Sequence, residues 1–382
     1  MRIAILYAGS ISRISGSDER VLQIAKGLAD NGAQVTLSAT IKHSVEALNL
    51  SNLQVIPLPH RMLKLPSTLD WIAQLVAGGL ACRYDVIQIE SFSFPRSMAL
   101  FLLLRPFGRK FVIVFHDKWF IQDPRKSVDG RLQLILQKIL ITIFDVSITP
   151  GLSVKKWFEE LHGKLAHQKM MVIPNGAPDL HILEDVHNLH LREIHRIDPN
   201  AFVILYFGSM TFQPNLDAAL HLLKISNSVS SEFEKNTEKK LIFIVGGIGS
   251  EALPTTECFI PLGFVEKLDE LLSLPDVILF PHTPSFTGPH VKTIYAFISK
   301  KPVIATEDAI KDMPHIIPGK HFLPFDIQKP RSLLESLLEI YYNKELRENL
   351  AYNAYQYSKK YSWEKITSLH LELYKNLLQK SD

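Results

Sequence analysis

Seven short apolar runs in the first half of the chain, RIAILYA, QVTLSAT, LQVIPL, VIQIE, KFVIVFH, VSITP and MMVIP, alternate with stretches of helical spacing. The runs carry β-branched residues on both faces, so each must be covered on both sides. That pattern predicts a parallel sheet with helices packed on each face. The pattern pauses after IPNGAPDL in the polar, histidine-rich stretch HILEDVHNLHLREIHRIDPN. It then restarts with FVILYFG, KLIFIVGG, CFIPLGF, DVILFPH, PVIAT and HFLPF. The sequence therefore predicts two doubly wound α/β domains in succession.

A chain of 382 residues is too long for one ordinary core and suits two domains of roughly 150–200 residues each. The expected boundaries are residues 1–177 for the first domain, 178–195 for a hinge, 196–360 for the second domain and 361–382 for a closing helix that packs back towards the first domain. His181, His187, His190 and His195 lie in or beside the hinge, but they lack the helical i, i+4 spacing with an acidic partner that a metalloprotease site uses. They are read as part of a solvated linker or a surface helix, without chemistry.

A hydrophobic content of 46% with 21% charged residues describes a packed globular chain rather than a disordered one. The formal charge of +3, with no run of five or six like charges, argues against a nucleic-acid partner. Cys82 and Cys258 are the only two cysteines and share no metal-ligand spacing, which suits a reducing, cytoplasmic setting. MRIAILYAG reads as a first strand rather than a signal peptide. Residues 97–115 and 132–144 are apolar, but charges and Pro106 interrupt the first run and the second is too short to span a bilayer.

In open α/β sheets ligands bind beyond the carboxyl ends of the strands, which directs attention to four loops. In AGSISRISGSDER, Gly16 and the residues after it open an amphipathic helix and offer amides to an anion or a sugar. In FVIVFHD, His116 and Asp117 emerge at a strand end, where a histidine can bond a hydroxyl or exchange a proton while the aspartate orients a neighbour. The Asn175-Gly176 turn of VIPNG reads as a hinge. In the second domain Gly208 and Ser209 follow a strand, Pro214-Asn215 stand ahead of a helix, and SFTGPHVKTIYAF places Gly288 and Lys292 at another helix start. Two anion-receptive helix ends suit a diphosphate better than a single carboxylate.

Taken in order, GSDERVLQIAKGLADNGAQVTL, the HD after a strand, VIPNG, FGSMTFQPNLDAA, LGFVEKLDELLSLPDVILFPH, GPHVK, KKPVIAT and YSW resemble the retaining nucleotide-sugar glycosyltransferases of the GT-B fold, closest to family 4. The resemblance runs over nearly the whole chain. It implies two Rossmann-like domains facing a cleft, with the donor held by the second and the acceptor by the first. It implies a UDP- or GDP-sugar donor, a glycan or lipid-linked acceptor, and a role in cell-surface polysaccharide synthesis. No cofactor is expected, since the nucleotide-sugar is a substrate. No D-x-D metal motif is present, and helix dipoles and basic side chains are expected to carry the phosphate charge.

Carried over position by position, the resemblance places His116 near the donor sugar and Gly16 in the loop facing the donor phosphates. Gly263, Phe264 and Val265 match the stretch that meets the nucleobase. Gly288, Pro289, His290 and Val291 match the turn over the phosphates and sugar, and Lys292 matches a recurrent lysine. Two family glutamates, eight positions apart, fall on Thr287 and Tyr295 here, and the basic pair usual after FGS is replaced by a stretch that offers only Gln213. Each lost charge-assisted hydrogen bond removes about 1.5–3 kcal/mol of binding. Tyr295 can offer the ribose a hydroxyl instead. An active transferase is the leading reading, and a catalytically impaired sugar-nucleotide-binding regulator is the alternative. Arg61, Lys64, Arg96, Arg105, Arg109 and Lys110 flank apolar segments of the first domain, which raises peripheral contact with the inner face of an anionic membrane.

Overall fold

The computed structural model describes residues 1–11, 16–41, 51–57, 83–90, 94–116, 125, 128–178, 180, 185–282 and 291–379. The described chain separates into two compact units, one built on residues 1–176 together with 363–382, the other on 177–286 and 290–362.

The first unit holds a seven-stranded sheet: β1 (Arg2–Ile11), β2 (Gln34–Ile41), β3 (Leu53–Pro57), β4 (Tyr84–Glu90), β5 (Gly108–Val114), β6 (Val146–Thr149) and β7 (Met170–Val172). Their order across the sheet is β3-β2-β1-β4-β5-β6-β7, and every pairing is parallel. The winding reverses between β1 and β4, where the sheet opens a crevice at its carboxyl edge. One face of the sheet buries Ile3, Ile5, Val86, Val112 and Val114 against the helices Gly16–Asp30 and Trp363–Gln379. The other buries Leu6, Ile87, Ile89 and Ile113 with Phe101, Leu140 and Phe158 from the helices Phe94–Leu104, Val128–Ile143 and Leu152–His162. Burying a strand on both faces is what its run of Val and Ile predicts, and each fully buried aliphatic side chain contributes about 1.5–3 kcal/mol.

The second unit repeats the plan with six parallel strands: β8 (Phe202–Phe207), β9 (Leu241–Gly246), β10 (Phe259–Gly263), β11 (Val277–Phe280), β12 (Val303–Ala305) and β13 (Leu323–Pro324). Their order is β10-β9-β8-β11-β12-β13, so the reversal falls between β8 and β11. All thirteen runs read from the sequence are strands.

One local boundary differs from the sequence reading. Pro214 and Asn215 lie inside the first turn of the helix Gln213–Thr237, which suits proline because its missing N–H would have no partner there. Within the polar stretch after residue 180, Asp185–Ile194 is a helix. Its Arg192 is buried, donating to the carbonyls of Leu274 and Ala201 and pairing with Asp276 at 3.0 Å, so the helix is pinned to the second sheet.

Candidate functional site

In the second unit three neighbouring strands end in glycine. β8 runs into Gly208, β9 ends at Gly246 followed by Gly247, and β10 ends at Gly263. Backbone bonds carry the sheet past its own edge: Gly208 N–H donates to Gly246 O at 2.9 Å, Gly247 N–H to Gly263 O at 2.8 Å, and Met210 N–H to Ile248 O at 2.7 Å. Gly247 has φ +125, and a Cβ on it would stand 2.0 Å from the Gly208 carbonyl oxygen. No larger residue fits that position without moving backbone.

Lys292, in the first turn of the helix Val291–Ile298, reaches this ledge. Its Nζ donates to Asn215 Oδ1 at 2.7 Å and to Tyr206 Oη at 3.3 Å, and lies 4.8 Å from the centre of the Tyr206 ring. Asn215 in turn donates from Nδ2 to the Ser209 carbonyl at 2.8 Å, tying the loop after β8 to the start of the helix Gln213–Thr237. A Cβ on Gly208 would lie 3.1 Å from Lys292 Nζ, so the ammonium sits against bare backbone at the β8/β11 reversal. Burial pushes the lysine pKa from its ordinary 10.5 down to about 7. A cation held in this way gains most when an anion arrives to share the pocket.

Of the remaining positions expected in the second unit, Ser209, Gly263, Phe264 and Val265 lie at or just beyond strand ends along the same carboxyl edge. Gly263 has φ +71 and donates its N–H to the buried Ser250 Oγ at 3.0 Å. Phe264 projects from the end of β10 with 59% of its surface exposed, unusual for a phenylalanine beside a glycine ledge. Val265 and Tyr295 pack partly buried against the core of this unit. Ser209 Oγ bonds Thr211 Oγ1 at 2.7 Å on the surface. Thr287, Gly288, Pro289 and His290 lie outside the described residues.

In the first unit Gly16 is the first residue of the helix Gly16–Asp30. His116 lies two residues beyond β5, and its side chain is 19% exposed. Its Nε2 is 2.8 Å from Oε2 of Glu90, the last residue of β4. Asp117 lies outside the described residues. Glu90 is fully buried; burial alone would raise its pKa, but the hydrogen bond from His116, with Arg20 and Gln88, outweighs that and holds it below the usual carboxylate range. Glu90 and Gln88 were not singled out from the sequence. Their signal is two polar residues, two positions apart, inside the otherwise apolar strand YDVIQIE.

Two doubly wound parallel sheets in tandem, each with its reversal beside loops of this kind, define the GT-B class of fold. Sucrose-phosphate synthase from Thermosynechococcus elongatus is similar over 100% of both chains, with a TM-score of 0.73 and 15% identity. Anabaena HepE in complex with UDP is similar over 98% of this chain and 100% of its own, with a TM-score of 0.71 and 16% identity. Residues 14–179 match the family model of Glycosyltransferase Family 4. An uncharacterised glycosyltransferase of Methanocaldococcus jannaschii is 32% identical over 114 residues, which is 29% of this chain and 32% of that relative's length.

Proposed function

We propose that the protein is a retaining glycosyltransferase that moves a sugar from a UDP- or GDP-sugar to a glycan or lipid-linked acceptor during cell-surface polysaccharide synthesis. The observation that carries the reading is the Lys292 ammonium, set against the Gly208 backbone at the strand reversal of the second sheet. A desolvated cation against close-approaching glycine backbone suits a diphosphate, whose charge grows on the leaving group as the glycosidic bond breaks. HepE, which shares the fold, has been solved with UDP and with UDP-glucose. In this reading Phe264 meets the nucleobase, Tyr295 serves the ribose, and Gly288, Pro289, His290 and Val291 cover the phosphates and sugar. His116 and Asp117 serve the reacting centre, and the first unit receives the acceptor. Transfer proceeds without a metal, Lys292 taking the phosphate charge.

The test is incubation with radiolabelled UDP- and GDP-sugars and lipid-linked acceptors in the presence of EDTA, with the product anomer read by NMR. Transfer with the donor's anomeric configuration kept is expected. Tight nucleotide binding without turnover across the panel would instead support the regulatory alternative.

The acceptor's lipid nature has its own support. Leu102 (64% exposed) and Leu103 on the helix Phe94–Leu104, with Leu132, Ile135 (58%) and Ile139 on the helix Val128–Ile143, leave apolar side chains in water on two helices that pack together. Arg105, Arg109, Arg131 and Lys138 stand exposed nearby in the sequence. An apolar surface bordered by cations suits the inner face of an anionic plasma membrane, which supports a peripheral position there. No helix among the described residues is long and apolar enough to cross a membrane. Ile135→Asp is expected to abolish flotation with phosphatidylserine vesicles. Flotation that survives the substitution would remove this surface from the account.

A further inference from the structure

A line of buried polar groups crosses the first unit and ends on His116. Arg20 Nη2 lies 3.3 Å from His370 Nε2, and His370 Nδ1 lies 3.1 Å from Tyr374 Oη. Tyr374 Oη bonds Gln88 Oε1, Gln88 Nε2 donates to Glu90 Oε1, and Glu90 Oε2 meets His116 Nε2 at 2.8 Å. Arg20, Gln88, Glu90, His370 and Tyr374 are all buried.

The two inner ends of this line fix every proton between them. A guanidinium only donates and a carboxylate only accepts. His370 must therefore accept at Nε2 and donate from Nδ1, Tyr374 must donate to the Gln88 oxygen, and Gln88 must donate its amide to Glu90. All the bonds point from Arg20 to Glu90. The charges also balance within the line, Arg20 positive and Glu90 negative, so Glu90 does not need a protonated His116 to offset it. Burial and the Arg20 charge hold the His370 pKa well below its ordinary value, and burial with the Glu90 charge raises that of Tyr374, so both stay neutral as the direction of the bonds demands.

Resting on the reading of His116 as a group at the reacting centre, we propose that Glu90 is a positioning residue that holds His116 as its Nε2–H tautomer. The ring then presents the bare Nδ1 lone pair, an acceptor, to the ligand. A group of that kind recognises a hydroxyl and repels a phosphate oxygen, so His116 reads a sugar or acceptor hydroxyl while the diphosphate is left to Lys292. Arg20 also donates to the Pro174 carbonyl at 2.8 Å and to Asn175 Oδ1 at 3.0 Å, which ties this tautomer to the seating of the VIPNG segment and of the helix Trp363–Gln379.

The test uses the full chain labelled with 15N-histidine, the His116 resonances being identified by their loss in His116→Ala. The wild-type ring is expected to show a protonated Nε2 and a bare Nδ1. Glu90→Gln should shift the ring towards the other tautomer and lower kcat by about 100-fold with KM little changed. In a His116→Ala background the same substitution should cost no further activity. If Glu90→Gln fails to fold, Tyr374→Phe, which keeps the ring and removes only the hydroxyl, should disturb the His116 resonances and lower kcat by several-fold. An unchanged His116 tautomer in whichever variant folds, or an equal loss of activity with His116 already removed, would overturn the proposal. A wild-type protein that transfers no sugar, with the His116 tautomer shift still seen in Glu90→Gln, would count against the transferase reading while leaving the Glu90 assignment standing.

Discussion

Lys292 is the side chain on which most of the functional argument turns, and its stability cost and its binding role have opposite signs. Its folded pKa of about 7 lies below its ordinary 10.5, so between those values the unfolded chain holds a proton that the folded chain has released. Stability from this group therefore rises with pH across that window. Lys292→Met removes the buried ammonium, and the variant should melt no lower than wild type at pH 7 while losing the part of the rise in Tm between pH 7 and 9.5 that Lys292 supplies. Thermal melts across that range read the difference. Nucleotide binding should fall at least ten-fold in the same variant. Phe264 makes a milder contribution: Phe264→Ala should weaken nucleotide affinity by about 1 kcal/mol, roughly five-fold, in a fluorescence titration with UDP and with GDP. If neither nucleotide discriminates the variant from wild type, the base does not meet this ring.

Strands and helices show which parts of the architecture the sequence discloses. The helices Gly16–Asp30 and Trp363–Gln379 approach so closely at Gly27 that a Cβ there would stand 2.4 Å from Thr367 Oγ1. Gly27→Ala should cost about 1–3 kcal/mol in urea unfolding, the usual penalty for overpacking a tight contact. Arg20→Met should cost about 3–5 kcal/mol by leaving Glu90 without its buried countercharge. The strands were legible because RIAILYA, FVILYFG and their like are apolar on both faces, and only a covered parallel sheet can use such runs. Lys292 and Gly208 were legible through their positions at a helix start and a strand end. Glu90 was not, because a carboxylate inside VIQIE becomes intelligible only when β4 places it beside His116, and Arg20, His370 and Tyr374 converge from segments some 350 residues apart. Asn215 was placed ahead of its helix by the sequence reading. Its side chain instead bridges Lys292 and Ser209 from within the first turn.

Each unit carries its own core and its own strand reversal, and in the proposed reading the chemistry divides in the same way. The second unit supplies a glycine ledge and a desolvated cation, suited to a diphosphate; the first supplies a histidine oriented by a buried carboxylate, suited to a hydroxyl. On the resemblance, Thr287 and Tyr295 take the places of two family glutamates, and the proposed reading rests donor binding on what remains. Hydrogen exchange with bound nucleotide-sugar should show new protection along Phe207–Asn215, Gly246–Gly249 and Gly263–Phe264. Protection confined to the first unit would contradict the assignment of the donor to the second sheet. The most direct measurement is calorimetric titration of UDP-glucose and GDP-mannose into wild type and Lys292→Met at pH 7, in two buffers of different ionisation enthalpy. The account predicts saturable binding of one donor with uptake of about half a proton by wild type, as a lysine of pKa about 7 becomes fully charged, and at least ten-fold weaker binding without uptake by the folded variant. Equal affinity in the two proteins, or no binding of either donor to wild type, would contradict it.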